Sequence, residues 1–359
     1  MAMQKDALIK LSHGAGGSAM HELIKEVILQ HLRVTPARST DIEVALEDLD
    51  DASAIDGMAF TTDSHTVKPL FFPGGDIGSL AVAGTINDLA VIGAEPLALA
   101  SSFVIEEGFK ISDLNKVLVS MRETCELAGV PIITGDTKVV ERGALDQLII
   151  NTAAIGRRAP VLEHNMREVT RYRKLRNDRW IVDSNLEAGD KIILSGTVGD
   201  HGIALLAFRE GYGFDTQINS DIYPLNKLIR ALLEVGGIVA MKDPTRGGLA
   251  NTLNEFSEKS RAGIIVYEED IPVRSGVRSA CEMLGIDPLE IGNEGKVVLG
   301  VVRDKADEIL ETLKRREEGK DAAIIGDVRA DIKGVVLQTE VGGRRILEQP
   351  IGDPVPRIC

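Results

Sequence analysis

Five aspartates stand where strands or helices are expected to meet turns. They are Asp51 in DLDDASAI (beside Asp50), Asp63 in AFTTDSHTVKP, Asp88 in TINDLA, Asp136 in ITGDTK and Asp243 in KDPTRGG. Hard Mg²⁺ takes carboxylate oxygens together with phosphate oxygens, so acids gathered from several strand ends are what a Mg–nucleotide site would need. Each alone has an ordinary explanation, because Asp is common in turns and at helix N-caps. Asp88 is different. On the helix expected over Asp76–Ile92 it shares a stripe with Ile77, Ala81, Gly84 and Val91, and an acid on an inward stripe must be paired or bound to metal.

Glycines cluster in HGAGG (Gly14, Gly16, Gly17), at Gly74–Gly75 and at Gly247–Gly248. Unobstructed backbone N–H groups ahead of a helix can cradle phosphate. None of the clusters has P-loop spacing and no strand-linked G-x-G-x-x-G occurs, so by pattern alone each reads as a plain turn. Lys138 follows GDT, and Glu294 lies in IGNEGKVV before an expected strand. A lysine near phosphates neutralises charge and a partly buried glutamate can serve as a base; both are equally compatible with a surface position. His13, His65 and His201 sit in glycine-rich or polar turns, without zinc-ligand spacing.

The chain has three cysteines. Cys125 and Cys281 fall on apolar helical stripes and read as core. Cys359 is the last residue, after EQPIGDPVPRIC. Pro350, Pro354 and Pro356 disfavour helix and sheet there, and from Gly352 an extended arm could carry the thiol over roughly 20 Å, at ~3.1 Å per residue. A prenylation signal needs its cysteine four from the end, which excludes that reading. A terminal cysteine by itself commonly has no role.

The elements that must position these residues alternate between short β-branched runs and helical patterns, an α/β or α+β architecture. Strands are expected at Met58–Thr62, Pro131–Thr134, Gln147–Ile155, Lys191–Leu194, Gly263–Tyr267, Val297–Val302, Ala323–Val328 and Gly334–Gln338. Helices are expected at Ala19–Leu32, Asp76–Ile92, Ser112–Ala128, Asp200–Phe208, Leu225–Val235, Gly248–Lys259, Gly276–Leu284 and Lys305–Arg316. At 359 residues the chain is comfortable for two domains. The arginine-rich stretch Arg157–Asp190 is the best boundary, read as a solvated linker or insertion. The expected division is 1–40 (glycine-rich segment and helix), 41–158 (nucleotide-binding and dimerisation domain), 159–190 (linker or insertion), 191–341 (second domain) and 342–359 (mobile tail).

A net charge of −14 argues against coating nucleic acid. The segment Met1–Gly17 has no long apolar stretch and does not read as a signal peptide. The most apolar region, Ser79–Ile105, is broken by Asn87, Asp88, Glu95 and Pro96, so no segment reads as membrane-spanning. Three cysteines make no disulfide framework, and a cytoplasmic location is expected.

Taken jointly, LSHGAGG, TDSHTVKPLFFPGGDIG, TINDLAVIGAEP, ITGDTKVV, SGTVGDHGIAL, KDPTRGGL, NEGKVV and the closing DPVPRIC closely resemble the HypE family of hydrogenase maturation factors. That family lies in the superfamily of aminoimidazole ribonucleotide synthetase, selenophosphate synthetase and thiamine-monophosphate kinase. The resemblance implies a two-domain PurM-like α/β fold whose N-terminal domains pair into a dimeric β-barrel. It implies ATP and Mg²⁺ as cofactors, with Asp51, Asp63, Asp88, Asp136 and Asp243 as metal and nucleotide ligands. Gly14, Gly16, Gly17 and Lys68 would complete the nucleotide site, and Cys359, Lys138 and Glu294 would do the chemistry. The implied reaction is ATP-dependent dehydration of an S-carbamoyl group on Cys359 to a thiocyanate. The carbamoyltransferase HypF would load the thiol, and a HypC–HypD scaffold would accept the cyanide destined for the iron of [NiFe]-hydrogenase. Two alternatives stay open: a superfamily kinase or synthetase acting on a free small molecule, and a non-catalytic scaffold whose tail only docks partners.

Overall fold

The computed structural model describes residues 8–32, 41–212, 218–352, 354–355 and 357–359. Its strands are β1 (Ile42–Val44), β2 (Ser53–Ile55), β3 (Met58–His65), β4 (Phe71–Phe72), β5 (Gly75–Asp76), β6 (Ala94–Glu106), β7 (Ile132–Val140), β8 (Leu148–Arg158), β9 (Lys191–Leu194), β10 (Ile238–Lys242), β11 (Gly263–Tyr267), β12 (Val298–Val301), β13 (Ala323–Arg329), β14 (Val335–Gln338) and β15 (Arg344–Ile346). Its helices are α1 (Ser18–Leu23), α2 (Leu29–Leu32), α3 (Ile77–Val91), α4 (Ile111–Ala128), α5 (Pro160–Thr170), α6 (Asp200–Glu210), α7 (Asn226–Val235), α8 (Gly248–Ser260), α9 (Ser275–Leu284) and α10 (Ala306–Lys314). The single helix expected over Ala19–Leu32 is α1 and α2 joined by one wider turn, Ile24–Ile28.

A six-stranded sheet runs β1-β2-β3-β8-β6-β7, antiparallel except where β6 and β7 lie parallel. That parallel pair needs a crossover, which α4 supplies. A seven-stranded sheet runs β10-β12-β9-β13-β11-β14-β15. The expected β-barrel is not present. The first sheet is open, with β1 and β7 each paired on one side only, and no sheet among the described residues closes on itself. Along β7 the residues from Ile132 to Val139 are all exposed, so nothing among the described residues covers that edge.

Helix α3 joins the halves. Asp76 caps it by accepting from the Gly78 and Ser79 N–H groups, and small and aliphatic side chains let it pack on nearly every face. One side lies on β3 and β8, the other on α7 and β10. Asn87 ties them together: its Nδ2 donates to the Tyr223 carbonyl at 3.1 Å and its Oδ1 accepts from Leu225 N at 2.7 Å. Because the helix is buried all round, its inward stripe does not single out Asp88. What distinguishes Asp88 is what it faces.

The stretch expected as linker, 159–190, is built into the body. Its first part is α5, with Leu162, Met166 and Val169 buried. Beyond it Trp180 is fully buried and donates from Nε1 to Glu43 at 2.5 Å, while Arg173 forks onto Asp190 at 2.6 and 2.7 Å. Within this run Arg173, Arg176 and Arg179 each pin the chain, to Asp190, the Ser260 carbonyl and Glu43 respectively. No helix among the described residues is long and apolar enough to cross a membrane.

Candidate active site at the junction of the two halves

Period-two alternation puts Thr61, Asp63 and His65 of β3 on the face toward α3. Thr61 Oγ1 donates to Asp88 Oδ2 at 2.8 Å and also approaches the Asp51 carbonyl at 3.1 Å. Asp51, just before β2, and Asp243, just after β10, complete a trio whose carboxylate oxygens lie within 4.8 Å of one another. Asp88 is held well above the carboxylate range by burial, then by the charges of Asp243, Asp63 and Asp51. Asp243 is pushed up to about 8 by burial and by Asp51. Lys242 meets the trio from the Asp51 side only, and the oxygen-only donor set that the three acids present suits Mg²⁺.

Around the trio is a cleft of about 370 Å³, lined also by Asp63, Arg246, Glu294 and Cys359. Burial raises Asp63, but His65 and Arg246 outweigh it and hold the acid low. Glu294 is raised well above its ordinary range by burial and the acids around it, and its Oε1 has no hydrogen-bond partner. Gly84 forms the floor: a Cβ there would stand 3.5 Å from His65, 3.9 Å from Asp63 and 4.0 Å from Glu294.

The glycine loop closes one side. A Cβ on Gly16 would lie 2.5 Å from the Arg246 side chain, and one on Gly17 would lie 1.9 Å from the Pro350 carbonyl oxygen. Gly14 contributes its carbonyl, which accepts from Arg246 Nη1 at 3.2 Å. The loop is therefore pressed between Arg246 and the C-terminal tail. That tail, expected to be mobile, is docked: Leu347, Val355 and Ile358 are buried, and Cys359 reaches the cleft.

The structure thus brings Asp51, Asp88, Asp243, Asp63, Glu294, Cys359 and the Gly14–Gly17 loop together. It does not bring in Asp136, Lys138 or Lys68. Asp136 and Lys138 are exposed on β7, opposite Ser102 and Val104 of β6. Asp136 lines a larger, mostly apolar groove of about 1020 Å³ with Phe103, Leu118, Met121 and Ile132. Lys68 Nζ pairs with Asp146 at 2.6 Å.

Sequence reasoning passed over Arg246, Lys242 and His65. Arg246 and Lys242 flank Asp243 in KDPTRGG, and that adjacency was the available signal. His65 read as a turn residue but ends β3 fully enclosed. Its Nε2 lies 3.5 Å from Asp63 and 3.4 Å from Thr152, and burial keeps it neutral-leaning.

Comparison with known proteins identifies the family. Residues 49–158 match the AIR synthase related protein N-terminal domain, and residues 187–337 match its C-terminal domain. Carbamoyl dehydratase HypE of Rhizobium leguminosarum bv. viciae is 46% identical over 355 residues, covering 98% of this chain and 95% of that one. A chain from a HypE–HypF complex superposes with a TM-score of 0.80 at 46% identity, covering 91% of this chain and 99% of the other. HypE solved in complex with ATP superposes with a TM-score of 0.76 at 40% identity, over 98% of this chain and all of the other (100%). With both halves matched and relatives aligned over nearly their full length, the chain belongs to the HypE family of carbamoyl dehydratases within the PurM-like superfamily.

Proposed function

We infer that this protein dehydrates an S-carbamoyl group carried on its own Cys359, at the expense of ATP, leaving the thiocyanate that supplies cyanide to the iron of [NiFe]-hydrogenase. One observation carries the reading: the terminal thiol-bearing residue lines the same cleft as the acidic trio. A free small-molecule kinase has no use for its own C-terminus in that position.

An amide-like carbonyl does not lose oxide in water. Transfer of the ATP γ-phosphoryl group to the carbamoyl oxygen, with loss of the first of the two nitrogen protons, turns that oxygen into a phosphate leaving group on a C=NH carbon. Removal of the remaining nitrogen proton and departure of phosphate then close the C≡N bond. Asp51, Asp88 and Asp243 would hold Mg²⁺, which when bound offsets charge on the transferring phosphoryl group. Arg246 is a second cation at the reacting end, and its own charge is stabilised first by Cys359 and then by Asp63, Glu294 and Asp88. Glu294, buried among acids and with no hydrogen-bond partner for its Oε1, is the candidate base: once ionised, a carboxylate with a raised pKa takes a proton readily. The Gly14–Gly17 backbone would cover the nucleotide.

HypF loads the thiol and a HypC–HypD scaffold accepts the cyanide. A homodimer is part of the reading. Asp136 and Lys138 lie on the uncovered β7, and a second copy would bring them to phosphate. The test is ATP turnover with HypF and carbamoyl phosphate. Cys359→Ala abolishes the coupled turnover on this reading, and unchanged turnover would refute it.

A further inference from the structure

Every one of the last three residues is held by groups outside the acidic trio. Arg357 Nη1 pairs with Asp146 at 2.9 Å, its Nε donates to the Thr66 carbonyl at 3.1 Å, and its own carbonyl accepts from Lys68 N at 3.2 Å. Ile358 is 1% exposed, and its Cδ1 lies 2.5 Å from where a Cβ on Gly292 would stand. Any larger residue at 292 would fill that pocket. The terminal oxygen of Cys359 faces Thr66 Oγ1 at 3.5 Å.

His201, in the first turn of α6, completes the set. It is fully buried, with Nε2 2.8 Å from the Ile358 carbonyl and Nδ1 2.7 Å from Ser220 Oγ. A carbonyl can only accept, so Nε2 carries the proton and Nδ1 accepts from the Ser220 hydroxyl. Ser220 is fixed in turn: its N–H donates to the Pro73 carbonyl at 2.8 Å, and its Oγ accepts from Ile222 N at 3.3 Å. Phe72 meets the ring edge-on at 5.7 Å. An imidazole held on both nitrogens and one face has one tautomer and one orientation. That is more organisation than a packed core histidine requires.

We propose that this chain has a dedicated subsite for a C-terminal Arg-Ile-Cys peptide, in which His201 is the positioning residue. Its Nε2–H holds the last peptide plane so that the Cys359 sulfur enters the cleft. Gly292 sets the depth through Ile358, and Asp146 sets the register through Arg357. The inference rests on Cys359 carrying the reacting group, and it adds that the tail is read residue by residue and not merely tethered.

The test uses the full chain and two readouts. Alkylation of Cys359 by iodoacetamide, located by peptide mass, reports docking alone. Cys125 and Cys281 contribute little, because burial pushes their thiols up to about 11 and about 12. Dehydration after loading by HypF reports the chemistry. His201→Ala is expected to raise Cys359 labelling about tenfold and slow dehydration by at least that factor, the equivalent of one buried hydrogen bond. HypF loading stays intact or quickens. His201→Gln, which keeps an N–H donor, recovers most of both. Ile358→Asp puts a charge on the tail's buried side chain and is expected to reproduce the alanine result. Should His201→Ala not fold, Ile358→Asp decides alone. Labelling at the wild-type rate in a folded His201→Ala or Ile358→Asp protein overturns the subsite. If loaded wild-type protein never dehydrates, the parent reading fails while the labelling result stands by itself.

Discussion

Lys242 Nζ lies 2.9 Å from Asp51 Oδ1, so the residue preceding Asp243 in the chain neutralises another member of the same trio. Glu255 at 3.0 Å and Asp183 at 3.8 Å complete its shell. Burial would drive such a lysine toward neutrality, but Asp51, Glu255, Asp183 and Asp50 hold it well above its ordinary value. Neighbouring Lys259 binds Asp50 at 3.0 Å and Asp183 at 2.7 Å. This network spans both halves and fixes Asp51 against Asp243. Lys242→Met leaves buried acids without their cation and is expected to cost about 3–5 kcal/mol of stability. Urea denaturation measures it, and a loss below about 1 kcal/mol would contradict the argument.

Asp88→Asn keeps the shape and the Thr61 contact but removes a charge from the trio. Coupled ATP turnover is expected to fall about 100–1000-fold, the usual effect of losing one electrostatic element at a reacting centre. Loading of Cys359 by HypF should continue, because it needs the thiol and not the charge of the acidic trio. Retained turnover would remove Asp88 from the site.

The trio also sets a dependence on pH. Asp243 has its folded-state pKa raised from 3.8 to about 8, and Asp51 is raised as well, both by burial first. Across that window the folded chain holds more protons than the unfolded chain, so this contribution to stability falls as pH rises. A divalent cation replaces those protons. Mg²⁺ is therefore expected to raise the melting temperature more at about pH 8 than at about pH 6, by an additional 2–4 °C or roughly 1 kcal/mol. Asp243→Asn should abolish most of the gain. Calorimetry with and without Mg²⁺ checks both, and an equal gain at the two pH values would contradict the assignment.

How much of this was legible in the sequence depends on the kind of signal. Strands β9 and β11 were read to the residue, because β-branched runs bounded by turns have few alternatives. Strand β6 is not legible over its first part: PLALASS lacks β-branched residues, and pairing between β7 and β8 makes it a strand. Strand β10 was missed because IVAMK is five residues, buried throughout, with no alternation to read. Asp51, Asp88 and Asp243 were legible as acids at element ends, but their convergence needs both halves to meet across α3. The barrel came from resemblance alone, and the open sheet order does not support it. His201 was invisible as a tail ligand, because nothing in GDHG signals a partner more than 150 residues away.

If a second copy supplies Asp136 and Lys138, two inactive proteins should rescue each other. Asp88→Asn mixed with Lys138→Ala is expected to recover up to about a quarter of wild-type turnover, the statistical share of intact sites in reassorted dimers. No recovery after demonstrated subunit exchange would mean that each chain uses its own β7, or none.

The central claim is that the sulfur of Cys359 is both carrier and reactant. Intact-mass and peptide-mass spectrometry of the protein incubated with HypF and carbamoyl phosphate, before and after ATP, tests it directly. The account predicts a carbamoyl adduct on the last peptide that loses one water when ATP is added, with ADP and phosphate formed in step. An adduct that persists unchanged while ATP is consumed, or a dehydrated product found anywhere but Cys359, would contradict it.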